Sequence, residues 1–183
     1  MDTVATVPFS STRAYLLEAR YEFLRLLRTP SFSLPCLLFP PVFYLLFGVL
    51  LGGKGGPVAA QYLLAGYGVF GVIGVALFGF GVTVALDREQ GLLTLKRAQP
   101  MPPGAYLVAK MAMALLFAAI ILLLLAALAA GVAHVQLSAA QWGAWAATCL
   151  IGVLPFSALG LWLGTLVGGR GAPALINLVY LPM

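Results

Sequence analysis

The chain has 183 residues, of which 62% are hydrophobic and 8% are charged, and its formal net charge is +5. A soluble globular domain carries about 25% charged residues, so this composition excludes an ordinary soluble protein and indicates an integral membrane protein. The alternating pattern of a membrane β-barrel is absent, whereas helices satisfy their own backbone hydrogen bonds in lipid. We therefore predict an all-α integral membrane protein. Its basic residues flank apolar runs, which favours a role in membrane topology and no binding of nucleic acid.

In chain order, a flexible tail at residues 1–10 is followed by an amphipathic interfacial helix at residues 11–29. On a helical wheel of about 100° per residue, one arc is apolar and holds Tyr15, Leu16, Ala19, Phe23, Leu26 and Leu27. The opposite arc is polar and holds Glu18, Tyr21, Glu22, Arg25 and Arg28. Such a helix lies in the headgroup layer, where anionic lipid favours its arginines, so membrane lipid is an expected partner. The alternative, a helix of a small soluble bundle, is disfavoured because an apolar run follows directly.

The remainder, residues 31–183, is predicted to be a transmembrane domain. Because about 20 helical residues cross a bilayer core, the apolar runs predict four complete spans at residues 32–52, 59–86, 106–132 and 145–167. A fifth run, at residues 172–183, is too short to cross. We expect this last span to be incomplete, so that the sequence represents a fragment or a chain whose remainder is missing.

Residues 87–104 form the longest polar segment between the spans. The 32 residues of Gly55–Leu86 and the 59 residues of Met111–Gly169 contain no Asp, Glu, Lys or Arg. A charge at the bilayer centre costs about 2.5–3.5 kcal/mol, so the polar segment is expected outside the lipid. If the N-terminus lies inside, only Lys54 of the ten Lys and Arg residues falls outside. The positive-inside rule therefore predicts a cytoplasmic N-terminus and a cytoplasmic polar segment.

Two glycine-rich motifs match nucleotide-binding patterns without the required context. The run GYGVFG at residues 66–71 matches GxGxxG but lies within a charge-free span, which favours packing glycines. The run GVLLGGK at residues 48–54 lacks the Ser or Thr that binds magnesium in a phosphate-binding loop. His134 is the single histidine and has no ligand-type neighbour in its loop. We predict no catalytic residues, no metal site and no cofactor bound by this chain.

Ion-coupled transporters place ionisable residues near the middle of the membrane, and the predicted span interiors contain none. Weak polar candidates for a substrate path are Tyr44, Tyr67, Ser157, Trp162 and Asn177. If the protein moves a substrate, the driving energy is therefore expected to enter from outside the membrane. The cytoplasmic polar segment is the available route.

The order of elements carries a family resemblance. A basic amphipathic helix ends in RTPSF, a proline-bearing span follows, the polar segment has the form RExGLLxLxxxxPxxxxxYLxxK, and the chain ends in ALINLVYLPM. This resembles the permease subunit of type-2 ATP-binding-cassette (ABC) exporters of the bacterial plasma (inner) membrane. The resemblance implies six spans per subunit, a dimer with a second copy or a related permease, and docking on cytoplasmic ABC ATPases that bind ATP and magnesium.

In that family the polar segment is a coupling helix that seats in a cleft of the ATPase. The resemblance assigns this role to Arg88, Glu89, Gly91, Leu92, Leu95 and Pro100, and charge at the rim adds Lys96 and Arg97. The interfacial helix, which would lean on it, contributes Glu18, Glu22, Arg25 and Arg28. From the residues alone, a solvated loop whose charges only fix topology is the alternative.

The predicted function is the membrane-spanning permease subunit of an ATP-driven exporter. Its substrate could be a drug, a lipid, a glycan or a peptide, and the sequence does not choose among them. One alternative is a non-transporting membrane scaffold or anchor that binds a cytoplasmic partner through residues 87–104. Another is an ion-coupled carrier or channel, which the uncharged span interiors disfavour.

Overall fold

The computed structural model describes residues 11–51, 56–98, 102 and 104–180, and these residues form helices and connections without any strand. The helices are α1 (Ser11–Leu27), α2 (Pro30–Phe43, continued by π-helical Tyr44–Leu50), α3 (Gly56–Gly74, π-helical Val75–Val82 and Thr83–Glu89), α4 (Leu92–Ala98), α5 (Ala105–Gly131), α6 (Ala139–Leu166) and α7 (Ala172–Tyr180).

Four of the described helices are long and apolar enough to cross a membrane, namely Pro30–Leu50, Val58–Glu89, Ala105–Gly131 and Ala139–Leu166. The fold class is therefore an all-α, multi-pass membrane protein. Helix α4, the start of α5 and the turn between α6 and α7 lie at one end of the bundle, which we call the charged end. The connection between α5 and α6 lies at the opposite end.

Helix α3 is the centre of the bundle, and its π-helical stretch is almost completely buried. This stretch packs against α6 with backbone touching backbone, because glycines face each other. A Cβ atom built on Gly81 would lie 2.6 Å from the carbonyl oxygen of Gly160, and one built on Gly164 would lie 2.6 Å from the carbonyl oxygen of Gly81. Small residues permit such close helix packing in membranes.

The glycines of the GYGVFG run are packing residues at two positions of three. Gly68 lies against the indole of Trp145, where a Cβ would meet the ring at 3.0 Å. Gly71 lies against Ile121 and Pro40. Among the described residues, none comes within 4 Å of a Cβ built on Gly66. The prediction of packing glycines is thus confirmed for Gly68 and Gly71, and the run belongs to a helix interior instead of a strand-to-helix turn.

Helix α1 packs along the first half of α5, and its contacts include the rings of Phe23 and Phe117, whose centroids are 5.2 Å apart. The buried face of α1 contains residues from both predicted arcs, since Glu22 of the polar arc and Leu26 of the apolar arc are both buried. Leu16, from the predicted apolar arc, is 67% exposed. The two-arc division of this helix is therefore wrong, because the acidic residues of α1 have partners inside the bundle.

Candidate functional site at the charged end

Four charged side chains from three helices form a closed ring at the charged end. Arg25 donates from Nη2 to Oδ1 of Asp87 at 2.8 Å, and Lys110 Nζ lies 3.0 Å from Oδ2 of Asp87. Lys110 also pairs with Glu22, whose Oε2 is 3.7 Å from Nη1 of Arg25. Positive and negative charges alternate around this set. We call Glu22, Arg25, Asp87 and Lys110 the charge ring.

Helix geometry explains how these residues meet. Glu22 and Arg25 stand three positions apart on α1 and therefore share one side of that helix. Asp87 lies in the last turn of α3, and Lys110 lies in the second turn of α5. The ring therefore ties α1 to both spans that flank the polar segment.

Two further side chains support the ring. Tyr106, one turn before Lys110 on α5, donates its hydroxyl to Oδ2 of Asp87 at 2.7 Å. Lys110 donates to Oγ1 of Thr83 at 2.9 Å, and that hydroxyl donates in turn to the carbonyl oxygen of Gly79 at 2.6 Å. Asp87 thus accepts from a guanidinium, an ammonium and a phenol. Every oxygen and nitrogen of the buried part of the ring has a partner.

The ring is buried and electrically balanced. Asp87 and Lys110 are 0% exposed and Glu22 is nearly so, while the Arg25 side chain reaches the surface. Two cations face two anions, so the formal charge of the ring is zero. A buried charge is tolerated only with a partner, and removal of one partner typically costs about 3–5 kcal/mol. The hydrogen bond to Asp87 raises the pKa of Arg25 above its ordinary value, against burial, which lowers it.

Helix α4 is tied to the same cluster by Lys96. Its ammonium forms an ion pair with Glu18 of α1 and lies 4.9 Å from the centroid of the Tyr106 ring. Burial, followed by the positive charge of Lys110, lowers the pKa of Lys96. Helix α1 therefore contacts the polar segment at two points. One is the ion pair between Glu18 and Lys96 of α4, and the other is the charge ring.

Arg88 and Glu89 contact the turn between α6 and α7 instead of α1. Arg88 donates to the carbonyl oxygens of Thr165 and Val167 at 3.2 and 3.0 Å, and so caps the end of α6. Glu89 accepts from the backbone N–H of Arg170 at 3.1 Å. These two predicted coupling residues thus make contacts within the chain.

The remaining coupling candidates lie on the turn and helix that follow. Gly91 has a φ of +73°, a conformation that glycine adopts without strain. Leu92 is partly buried, whereas Leu95 is 61% exposed at the surface of α4. The side chain of Arg97 and the whole of Pro100 lie outside the described residues.

The interfacial-helix candidates divide into two groups. Glu18, Glu22 and Arg25 face the protein and bind Lys96, Lys110 and Asp87, as described above. Arg28, at the end of α1, is exposed. The first group therefore belongs to the same cluster as α4, while Arg28 points away from it.

The five candidates for a substrate path do not meet at one site, although two of them, Tyr44 and Tyr67, are in contact. Tyr44 is buried, and its ring meets that of Tyr67 edge to face with centroids 6.4 Å apart. Ser157 is buried on α6, and Trp162 is mostly exposed. Asn177 lines a separate cavity of about 290 Å³ between α2, α3 and α7.

Sequence reasoning missed Asp87, Lys110, Tyr106 and Thr83 as members of a site. Lys110 points into the bundle, where its side chain is fully buried. The available signal was a lysine one turn after a tyrosine at the start of an apolar run, since such a charge needs a partner. Among the described residues, no group of three or more His, Cys, Asp or Glu side chains is arranged to hold a metal ion.

These features define a multi-span helical membrane protein whose second and third spans are joined by an ion-paired, helical connection. Comparison with known families gives the identity of that class: the profile of the family described as ABC-2 type transporter matches residues 13–183, so the chain belongs to this family. The resemblance inferred from the polar segment is confirmed.

A curated relative agrees with this assignment. The chain is 28% identical over 165 residues to the protein named "Putative transport permease YvfS" of Bacillus subtilis (strain 168). The match covers 87% of this chain and 66% of the relative, so the chain spans just under two thirds of that protein's length. No solved structure matches the chain.

Proposed function

We propose that this chain is the membrane-spanning permease subunit of an ATP-driven ABC exporter in the bacterial inner membrane. Membership of the ABC-2 family and the four candidate spans support this function. In this proposal the N-terminus and the charged end face the cytoplasm, as the distribution of Lys and Arg favours. A separate ABC ATPase binds ATP and magnesium, and a second copy or a related permease completes the transport path.

The observation that carries the proposal is the two-sided anchoring of the connection between α3 and α5. On one side, Lys96 and the charge ring fasten it to α1. On the other side, Arg88 and Glu89 fasten it to the turn before α7. A displacement of α4 is therefore passed to helices on both sides instead of being absorbed by a loose loop.

Helix α4 offers a contact for the ATPase. Its exposed leucine, Leu95, is an apolar side chain of a size that can bury in a groove of a partner. We assign the contact to Leu95 and its neighbours, and we assign to Arg88, Glu89 and Lys96 the transmission of movement into the bundle. The substrate class, among drugs, lipids, glycans and peptides, depends on the complete dimer.

The test is a Leu95→Glu variant, purified together with the ATPase partner and reconstituted in proteoliposomes. Burial of a new carboxylate in the ATPase cleft is expected to reduce co-purification by about tenfold or more and to abolish substrate-stimulated ATP turnover. The matched control is Val132→Glu, which places the same charge on an exposed residue at the opposite end of the bundle.

If Leu95→Glu leaves both ATPase association and substrate-stimulated ATP turnover unchanged, α4 is not the coupling element. If the chain instead recovers through α4 a partner without a phosphate-binding loop, and no ATP-driven transport is found, the scaffold function replaces the exporter.

A further inference from the structure

The outward face of α1 combines arginines with exposed apolar side chains. Arg13, Arg20 and Arg28 are all exposed, and on a helical wheel they fall within one arc of about 80°. The apolar side chains that flank or interleave them in a wider arc of about 140° are Leu16, Leu17, Tyr21 and Leu27. Of these, Leu16 is 67% and Tyr21 is 64% exposed. We call this set the arginine face of α1.

The acidic residues of α1 lie on the opposite side. Glu18 and Glu22 are directed into the protein, where they pair with Lys96 and Lys110. Within the described part of α1, the arginine face therefore carries no carboxylate that would neutralise its cations. The sequence of α1 looks mixed in charge, but the folded helix presents only positive charge outward.

The position of α1 indicates what this face meets. Phe23 contacts Phe117, which lies more than three turns into the apolar helix α5. The membrane-spanning helix α2 begins at Pro30, directly after the end of α1. The C-terminal half of α1 therefore lies beside the membrane-embedded part of the bundle, and its outward side is directed to the lipid boundary.

We propose that the arginine face of α1 is a docking surface for the anionic headgroups of membrane phospholipids. Guanidinium groups bind phosphate oxygens through paired hydrogen bonds, and helices with basic and apolar side chains bind anionic interfaces. Leu16, Leu17 and Tyr21 enter the boundary between headgroups and acyl chains. A second copy of this chain fits less well, because symmetric pairing would bring arginine against arginine.

The experiment places a single thiol on the face by the substitution Leu17→Cys, with Cys36 and Cys149 replaced by alanine. The full chain is reconstituted in nanodiscs of phosphatidylcholine alone or of an equimolar mixture with phosphatidylglycerol. The rate of labelling by a water-soluble maleimide is measured in both. We expect labelling to be slower by about fivefold or more with phosphatidylglycerol, because the anionic headgroups cover the face.

A variant without the three arginines, together with a matched control, tests whether those arginines cause the slower labelling. In the Arg13→Gln, Arg20→Gln, Arg28→Gln background the effect of phosphatidylglycerol is expected to disappear. In the Arg170→Gln background, which removes a 94% exposed arginine elsewhere, it is expected to persist. Where the triple variant does not fold, added salt in the single-thiol protein replaces it, since screening should restore fast labelling.

Three outcomes overturn the proposal. Equally fast labelling in both lipids means that the face is in water. Equally slow labelling in both lipids means that the apolar residues insert without recognition of anionic lipid. Slow labelling in detergent that depends on protein concentration means that a second copy covers the face. The proposal does not depend on the transport function, because none of these measurements requires the ATPase.

Discussion

Single residues at the charged end act as members of a balanced set. Lys110 faces two carboxylates, Glu22 and Asp87, and a hydroxyl from Thr83. Asp87 accepts from three donors on two helices. Because these groups are buried, the loss of one leaves its partners with charges that neither water nor protein compensates. The ring therefore explains how an otherwise apolar bundle accommodates four charged side chains at one end.

We predict that Lys110→Met lowers the free energy of unfolding by about 3–5 kcal/mol, because it leaves Glu22 short of a cation inside the bundle. The double variant Glu22→Gln, Lys110→Met removes one charge of each sign and is expected to recover part of the loss. Denaturant unfolding in detergent, analysed as a double-mutant cycle, measures this recovery.

Arg170→Met supplies the comparison for that cycle. Arg170 also pairs with a carboxylate, Glu89, but its side chain is exposed to solvent. Exposed pairs contribute about 0–1 kcal/mol, so this substitution should change stability little. A Lys110→Met variant as stable as Arg170→Met would show that the charge ring does not stabilise the fold.

At the scale of elements, glycine sets how closely helices approach. The contact between α3 and α6 has glycine on both sides, and backbone atoms of Gly160 occupy the place of a Cβ on Gly81. No flexible side chain lies there to move aside. The two helices must separate if this glycine gains a methyl group.

We predict that Gly81→Ala lowers the free energy of unfolding by about 1–3 kcal/mol through this overpacking. Gly152→Ala is the matched control, because Gly152 lies on α6 with open space around it. Alanine favours helix over glycine, so the control should be neutral or slightly stabilising. Equal effects of the two substitutions in unfolding experiments would contradict the close packing of α3 on α6.

The turn between α3 and α4 has a different requirement. No residue in the described part of the chain comes within 4 Å of a Cβ built on Gly91, but its φ of +73° is unfavourable for any residue with a Cβ. We predict that Gly91→Ala costs about 1–2 kcal/mol through backbone strain alone. Gly143→Ala, at an open position with ordinary φ, is the control. Unfolding measurements that show no difference between the two would indicate that the turn adopts another conformation.

The sequence predicted the elements better than their faces. Charge-free runs located the long helices, since lipid selects them strongly. The start of α6 at Ala139 was not anticipated, although Ser138 and Gln141 form a capping box that is visible as S-x-x-Q. The faces of α1 were divided incorrectly because a helical wheel does not show that Glu18 and Glu22 find cations on α4 and α5.

At the scale of the whole molecule, the charged end is one connected surface. Residue contacts run from α1 through the charge ring to α3 and α5, and from Arg88 and Glu89 to the α6–α7 turn. The distribution of charged residues along the sequence was enough to locate the polar segment. It could not reveal this closure, because the ring joins residues from three helices that are far apart in the chain.

We predict that this surface faces the cytoplasm. A cysteine at the exposed position Gln90 should resist a membrane-impermeant maleimide added to intact cells and react after the cells are opened. A cysteine at Val132, exposed at the opposite end, should react in intact cells. Both proteins use the background in which Cys36 and Cys149 are alanine. The reverse labelling pattern would invert the orientation and remove α4 from reach of a cytoplasmic ATPase.

The neutrality of the charge ring has a consequence for how this sequence can diverge. A change at position 22, 25, 87 or 110 that alters the charge is harmful alone but tolerable with an opposite change at another of the four. Related permeases should therefore show correlated exchanges at these positions, including swapped acid–base pairs. A set of sequences in which the four positions vary independently would mean that evolution does not treat them as a unit.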